Sequence, residues 1–400
     1  MFAGAAFTDE ADIQAKDAVN MLTALGVIEG DPDGSFRPDA TVTRAEMAKM
    51  IFVVRNNSID DSAYANNSSK MTDINSHWAK GYIKFCESQG IIAGYGDNTF
   101  KPDATVTGVE AAKMLLVLTG YDANKAGLVG HNWSTNTLKY AGSAGILDDV
   151  NSGLESGLPR PYAAQMIYNT LEANRVKWSN DSGSFDDILN GGVKETVGKA
   201  YMGLCYDYGT LTSIETDSLT IKIDADYDSD NYHNSDRNYS NGDLINFTKV
   251  SEDYTALLGQ KVKVIFKNGK TNDVIGVYAT GDNTTYTVNQ ADVDTDGAKV
   301  DANGTKLSVD DKVAVYTDGK ATATWTKAAD FKNEKSANVL TLIDSDDDGD
   351  IDTVCVKTYI VGKVTYASSS SVIVAGKTYK FDDDNISKDL KKRLPRSWPA

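Results

Sequence analysis

Histidine and cysteine are scarce in this chain, with three of each in 400 residues. Cys86, Cys205 and Cys355 are far apart and form no CxxC pair, which excludes a disulfide framework and a cysteine-held zinc site. Each reads as a small buried apolar residue. His77, His131 and His233 are too scattered for a metal cluster. No stretch approaches the ~20 continuous apolar residues of a membrane-crossing helix. Basic charge is also lacking. The net charge of −17 argues against nucleic acid, because holding phosphates needs a basic face. Neither GxSxG nor HExxH occurs. The opening Met1-Phe2-Ala3-Gly4-Ala5-Ala6 lacks the charged and long apolar regions of a secretion signal, and reads as a mature N-terminus with an added Met.

What is present supports packed cores. Hydrophobic residues make up 41%, and a chain of this length suits several domains. Acid is spread unevenly, −6 over residues 1–180 and −11 over the rest. Such a surface favours divalent cations and cationic partners.

The strongest signal is an internal repeat. Asp9, Gly26, Gly30, Phe36, Pro38, Thr43 and Glu46 recur at Asp73, Gly90, Gly94, Phe100, Pro102, Thr107 and Glu110, each 64 positions later. A weaker third copy runs from about Leu128 to Leu171, with Trp133 standing for Trp78 and Arg160 for Arg44. Each copy reads as helix, turn-rich loop, helix. In the first, Ile13, Ala18, Val19, Leu22 and Leu25 approximate one apolar face, and Gly26 ends the helix. A second helix begins at Thr43.

This pattern resembles the S-layer homology family. The residues that carry the resemblance are Phe7-Thr8-Asp9, Gly26-Val27-Ile28-Glu29-Gly30, Asp33-Gly34-Ser35-Phe36-Arg37-Pro38, Thr43-Arg44-Ala45-Glu46 and His77-Trp78-Ala79. They cover roughly residues 7–172. The resemblance implies a three-pronged helical pseudo-trimer built from one chain. Its grooves would bind a secondary cell-wall polysaccharide, often one carrying pyruvate ketals.

Thr43 with Glu46, and Thr107 with Glu110, form capping boxes, which accounts for these four residues structurally. Arg44 is not needed by a cap and opposes the helix dipole. It is a candidate ligand for the carboxylate of a pyruvate ketal, or else a salt bridge to a neighbouring prong. Gly108 takes its place in the second copy, whereas Arg160 restores it in the third behind Pro159, so two useful grooves are expected. Trp78 and Trp133 either stack on the apolar side of a sugar ring or pack between prongs. Asp9 and Asp73 either accept sugar hydroxyls or cap the first helix of their copy.

Beyond a Ser/Asn/Asp/Gly-rich stretch the pattern turns to short β runs, with Asn268-Gly269 and Asp318-Gly319 as hairpin turns. The fold expected is multidomain. An all-α, three-repeat pseudo-trimer fills 1–175, with repeats at about 7–55, 71–120 and 128–172, and a linker comes next at 176–195. One or two small all-β barrels or sandwiches occupy 196–283 and 284–385, and a basic tail at 386–400 reads as either an appended segment or the cut end of a larger protein.

Acidic loops mark candidate calcium sites. Asp344, Asp346, Asp348 and Asp350 alternate around Gly349, but Cys355 stands where an EF-hand loop needs Glu. Asp292, Asp294 and Asp296 repeat the core pattern, and Asp224, Asp226, Asp228 and Asp230 alternate without the glycine.

The function expected is a non-catalytic surface protein, held outside the cell on a peptidoglycan-linked, pyruvylated wall polymer. Its β domains would assemble as a homo-oligomer or lattice, or display a binding face. One alternative is an anchored carbohydrate-binding protein or glycan hydrolase. Another is a calcium-dependent filament or tube subunit.

Overall fold

The computed structural model describes residues 7–224, 239–250, 252–368 and 370–380. Asp226, Asp228, Asp230, His233, the first six residues and the basic tail lie outside the described residues. The chain forms two compact units.

The first unit takes the chain to Leu257 together with Val262–Ala279. It opens with three helix pairs: α1 (Lys16–Ala24) with α2 (Arg44–Asn56), α3 (Lys80–Ser88) with α4 (Gly108–Thr119), and α5 (Trp133–Ser143) with α6 (Arg160–Glu172). Neither α2 nor α4 starts by chance. Thr43 accepts from the Glu46 amide at 3.2 Å while Glu46 accepts from the Thr43 amide at 2.7 Å. Thr107 and Glu110 repeat this at 3.2 and 3.0 Å. Each box satisfies two amides that a helix start leaves bare.

Packing passes from one pair to the next. The short helix α3 rests on α2, α5 rests on α4, and α1 closes the circle on α6. At the centre the three extended segments before α2, α4 and α6 bond in a ring. Val42 donates to Leu158, Leu158 to Val106 and Val106 to Val42, each at 2.9 Å. All three side chains are buried. Apolar residues from every pair therefore share one core, and removing one pair opens the other two.

The helical core extends past the third pair. Residues 176–195, expected as a linker, form the antiparallel pairs Val176–Ser179 with Ser184–Asp187 and Leu189–Asn190 with Val193–Lys194. Their polar residues are turn residues, and Phe185 packs on Tyr121, Tyr140 and Trp178. A short helix α7 (Val197–Met202) then leads into a five-stranded antiparallel sheet in the order 244–248, 218–223, 204–214, 261–267, 274–279. This sheet is not a separate body. Val197, Met202, Leu204, Tyr206, Ile265 and Tyr278 join the core of the helices, and buried Lys263 pairs with Glu172 of α6.

The second unit holds Leu258–Lys261 and the chain from Thr280 onward. Its seven-stranded sheet runs 284–289, 339–344, 350–357, 305–317, 299–302, 294–296, with 320–325 also paired to 305–317. One neighbouring pair, 305–317 with 350–357, is parallel. Asp318 and Gly319 both have positive φ (47° and 83°) and join two paired strands, as a two-residue hairpin turn requires. Phe331, Leu340, Leu342, Val354 and Val313 fill its core. A further three-stranded sheet spans 364–367, 371–374 and 377–380.

Candidate functional site

Each long helix of the circle begins against the loop of the next pair. The Arg44 amide donates to Ala104 at 2.9 Å and the Arg160 amide to Ala40 at 2.9 Å. This start carries the first helical side chain across a boundary between pairs. Arg44 is 3% exposed. Its Nε donates to the Phe100 carbonyl at 2.9 Å, Nη1 to Glu110 Oε1 at 3.0 Å and Nη2 to the Ala93 carbonyl at 3.4 Å. Tyr95 and Phe100 offer ring faces 4.7 and 4.6 Å from its guanidinium carbon. The salt bridge to a neighbouring prong is thus realised.

Arg160 sits similarly but more loosely. Nε donates to the Phe36 carbonyl at 2.8 Å and Nη2 to the Glu29 carbonyl at 3.1 Å, while Glu46 Oε1 is 4.0 Å from Nη1. In both places the capping glutamate has two tasks: one oxygen closes its own helix start and the other faces an arginine from another pair.

Two cavities result from this geometry. A cavity of about 190 Å³ is lined by Glu29, Glu46 and Lys49 from the first pair, Trp78 from the second and Arg160 from the third. A second, of about 310 Å³, is lined by Tyr95, Glu110 and Lys113 from the second pair, Trp133 from the third and Arg44 from the first. Trp78 and Trp133 each form part of a cavity wall. Trp78 is 56% exposed, and the Lys113 ammonium lies 5.4 Å from the Trp133 ring centre.

The third corresponding place is built differently. Gly108 stands for the arginine, and counting from the helix start Tyr162 and Gln165 stand for the glutamate and lysine. A Cβ at Gly108 would lie 2.7 Å from Leu154 Cδ2 and 2.9 Å from Leu154 Cα, so a side chain there needs the third loop to move.

Asp9 and Asp73 do something other than expected. Asp9 accepts from the amides of Phe36 and Arg37, both at 2.8 Å, and Asp73 from those of Phe100 at 2.9 Å and Lys101 at 2.8 Å. They clip the long loop of each pair to its start. Neither lines either of these two cavities, and Asp9 makes no cap bond to the turn of helix at Glu10–Asp12. Partial burial pushes the Asp9 carboxyl up, but the Phe36 and Arg37 amides outweigh it and leave its pKa below the ordinary value.

Lys49 and Lys113 are the residues that sequence reasoning missed. They obey the same offset of 64. A lysine in the middle of a helix reads as solvated surface, and only the circular packing turns these two into cavities.

In the second unit the carboxylates of Asp344, Asp346 and Asp348 come within 4.8 Å of one another. Asp344 is buried and accepts from the amides of Asp348 at 3.2 Å and Gly349 at 2.9 Å. Burial, then Asp352 and Asp348, raise the Asp346 pKa. Asp350 does not join the trio: it begins a strand, and its amide donates to Asp348. Asp292, Asp294 and Asp296 do not converge as a trio. Asp292 accepts from Asn289, Asp294 from the Thr295 amide, and Asp296 pairs with Lys306. Among the described residues no helix is long and apolar enough to cross a membrane.

Fold and grooves define a multidomain chain whose N-terminal helical module presents arginine–glutamate–lysine–tryptophan cavities. Comparison with known proteins agrees: the S-layer homology domain matches residues 6–48 and 70–112. A Surface layer protein of Brevibacillus choshinensis is 28% identical over 193 residues, 48% of this chain and 16% of that protein. A Cell surface protein of Thermoanaerobacter kivui is 26% identical over 322 residues, 79% of this chain and 38% of that one. Exoglucanase XynX of Acetivibrio thermocellus is 31% identical over 181 residues, 42% of this chain and 16% of the enzyme. The chain thus spans well under two thirds of these relatives. Residues 6–48 and 70–112 are S-layer homology sequence, and with the surface-layer relatives they place the chain outside the cell at the wall.

Proposed function

We propose that this chain is a non-catalytic surface protein held on a secondary cell-wall polysaccharide by three S-layer homology repeats arranged as a pseudo-trimer. The α5/α6 pair is the third repeat in this reading. The observation that carries it is the duplicated groove: arginine, glutamate, lysine and tryptophan drawn from three helix pairs, assembled twice. A lysine beside an arginine suits a carboxylate, with Arg160 Nη1 left 4.0 Å from its nearest glutamate oxygen, and a tryptophan face suits a sugar ring. Pyruvate ketals supply both in one residue. The β-rich remainder serves lattice assembly or display, with calcium at the Asp344 loop as its proposed cofactor.

The match to an exoglucanase favours a second reading, in which the same module tethers an enzyme or a glycan-binding domain. That match covers 16% of the enzyme, so the other 84% is not shared with this chain. Replacing Trp78 and Trp133 together by Ala tests the groove reading. Sedimentation of the full chain with purified sacculi is expected to fall, and undiminished sedimentation of the folded double variant contradicts it.

A further inference from the structure

The two grooves occupy equivalent places but are not equivalent in charge. Of the first groove's lining residues, Glu29, Asp31 and Glu46 face two cations, Lys49 and Arg160, which leaves −1. In the second, Glu110 faces Arg44 and Lys113, which leaves +1. The difference comes from two positions at the repeat offset: Glu29 is matched by Ala93, and Asp31 by Tyr95.

These substitutions change who holds the lysine. Lys49 Nζ bonds Glu29 at 2.8 Å, and Asp31 pairs with Arg37 at the same rim. Lys113 makes no ion pair with any described residue. Its ammonium instead lies against Trp133, in the cavity that also holds the Arg44 guanidinium. Burial lowers the Lys113 pKa, Glu110 works against that and Arg44 adds to it, as expected of a cation without a counter-ion. Tyr95 leans over Arg44 and donates to Glu110 at 3.2 Å, so the carboxylate that neutralises Arg44 is already engaged. A ligand carboxylate entering here meets a free ammonium. Entering the first groove, it meets two rim carboxylates already paired with Lys49 and Arg37, and no free ammonium.

We propose that the grooves divide the wall polymer by charge: the Arg44–Lys113 groove takes the sugar that bears a carboxylate, and the Arg160–Lys49 groove takes an uncharged stretch of glycan. This rests on the anchoring function proposed above and adds the ligand class of each site. Ala93 and Glu29 are the specificity-determining positions: they meet the arginines only through their carbonyls, so their side chains can change without breaking the arginine–glutamate frame.

The test is calorimetric titration of the full chain with two probes: an N-acetylhexosamine methyl glycoside carrying a 4,6-pyruvate ketal, and the same ketal as its neutral methyl ester. Lys113→Gln is expected to weaken binding of the acid about ten- to hundredfold, the effect of losing one charge-assisted hydrogen bond, and Lys49→Gln to weaken it far less, because Glu29 already holds Lys49. Ala93 is exposed, so Ala93→Glu adds a rim carboxylate without disturbing the core, and it should weaken the acid similarly. Glu29→Ala should add a second site for the acid. Equal effects of Lys113→Gln and Lys49→Gln, or no effect of Ala93→Glu, overturn the assignment. So does binding of neither probe by wild-type chain that still sediments with sacculi, which leaves the anchor standing. Probe discrimination by a chain that fails to sediment has the opposite meaning: the grooves sort charge, but the anchoring function falls.

Discussion

Replacing Arg44 by Ala separates the structural role of this residue from its role in binding. Five groups meet at its guanidinium: the Glu110 carboxylate at 3.0 Å, the Phe100 carbonyl at 2.9 Å, the Ala93 carbonyl at 3.4 Å and the rings of Tyr95 and Phe100. The side chain is almost wholly enclosed. Truncation leaves Glu110 without its cation and at least one inward carbonyl without a donor. Breaking one side of a buried pair costs about 3–5 kcal/mol. For a domain of this size each kcal/mol moves the unfolding midpoint by roughly 2–4 °C, so a drop of about 6–20 °C is expected. The assay is thermal unfolding of the full chain followed at the helical circular-dichroism band, which reports the first unit. Arg160→Ala supplies the comparison. Its glutamate partner is 4.0 Å away and it loses mainly two carbonyl bonds, so about 1–3 kcal/mol is expected. A midpoint for Arg44→Ala within a degree or two of wild type would refute the reasoning. For the same reason Arg160 is the better arginine for probing ligand binding.

Other consequences can be checked in parallel. Gly108→Ala pushes a methyl into Leu154 and should destabilise the first unit by about 1–3 kcal/mol in chemical denaturation, while an unchanged midpoint would mean the third loop yields freely. The Asp9 carboxyl is held below its ordinary pKa, so its contribution is complete above a pH of about 4 and disappears as pH falls through the lower folded value. Asp9→Asn should therefore flatten the acid limb of the stability–pH profile, and an identical limb counts against the loop clip. Calcium held by Asp344, Asp346 and Asp348 requires that a chelator lower the unfolding midpoint of the second unit in the full chain, because an ion bound to the native state alone adds stability. Equal midpoints with and without calcium dismiss the site.

Local patterns in the sequence were legible and cross-boundary ones were not. The capping boxes at Thr43 and Thr107 are set by spacing within four residues, and the Asp318-Gly319 turn by two. Arg160 meets Phe36 across 124 positions, and nothing near either residue announces the partner. Asp9 reads as a cap because aspartate before a helix usually is one, but its oxygens reach forward 27 and 28 residues to the loop. The stretch 176–195 resembles a linker in composition, yet Trp178 and Phe185 anchor its hairpin. The sheet at 204–279 alternates like a free-standing β domain, and only its contacts with α1 and α7 and the Lys263–Glu172 pair to α6 show that it completes the helical core.

Sedimentation of the full chain with purified wall sacculi, before and after chemical removal of the secondary polysaccharide, tests wall anchoring most directly. The predicted result is binding to intact sacculi that is lost when the polymer is stripped. Equal binding to stripped and intact wall, or binding to neither, would contradict it and leave the grooves to protein–protein assembly.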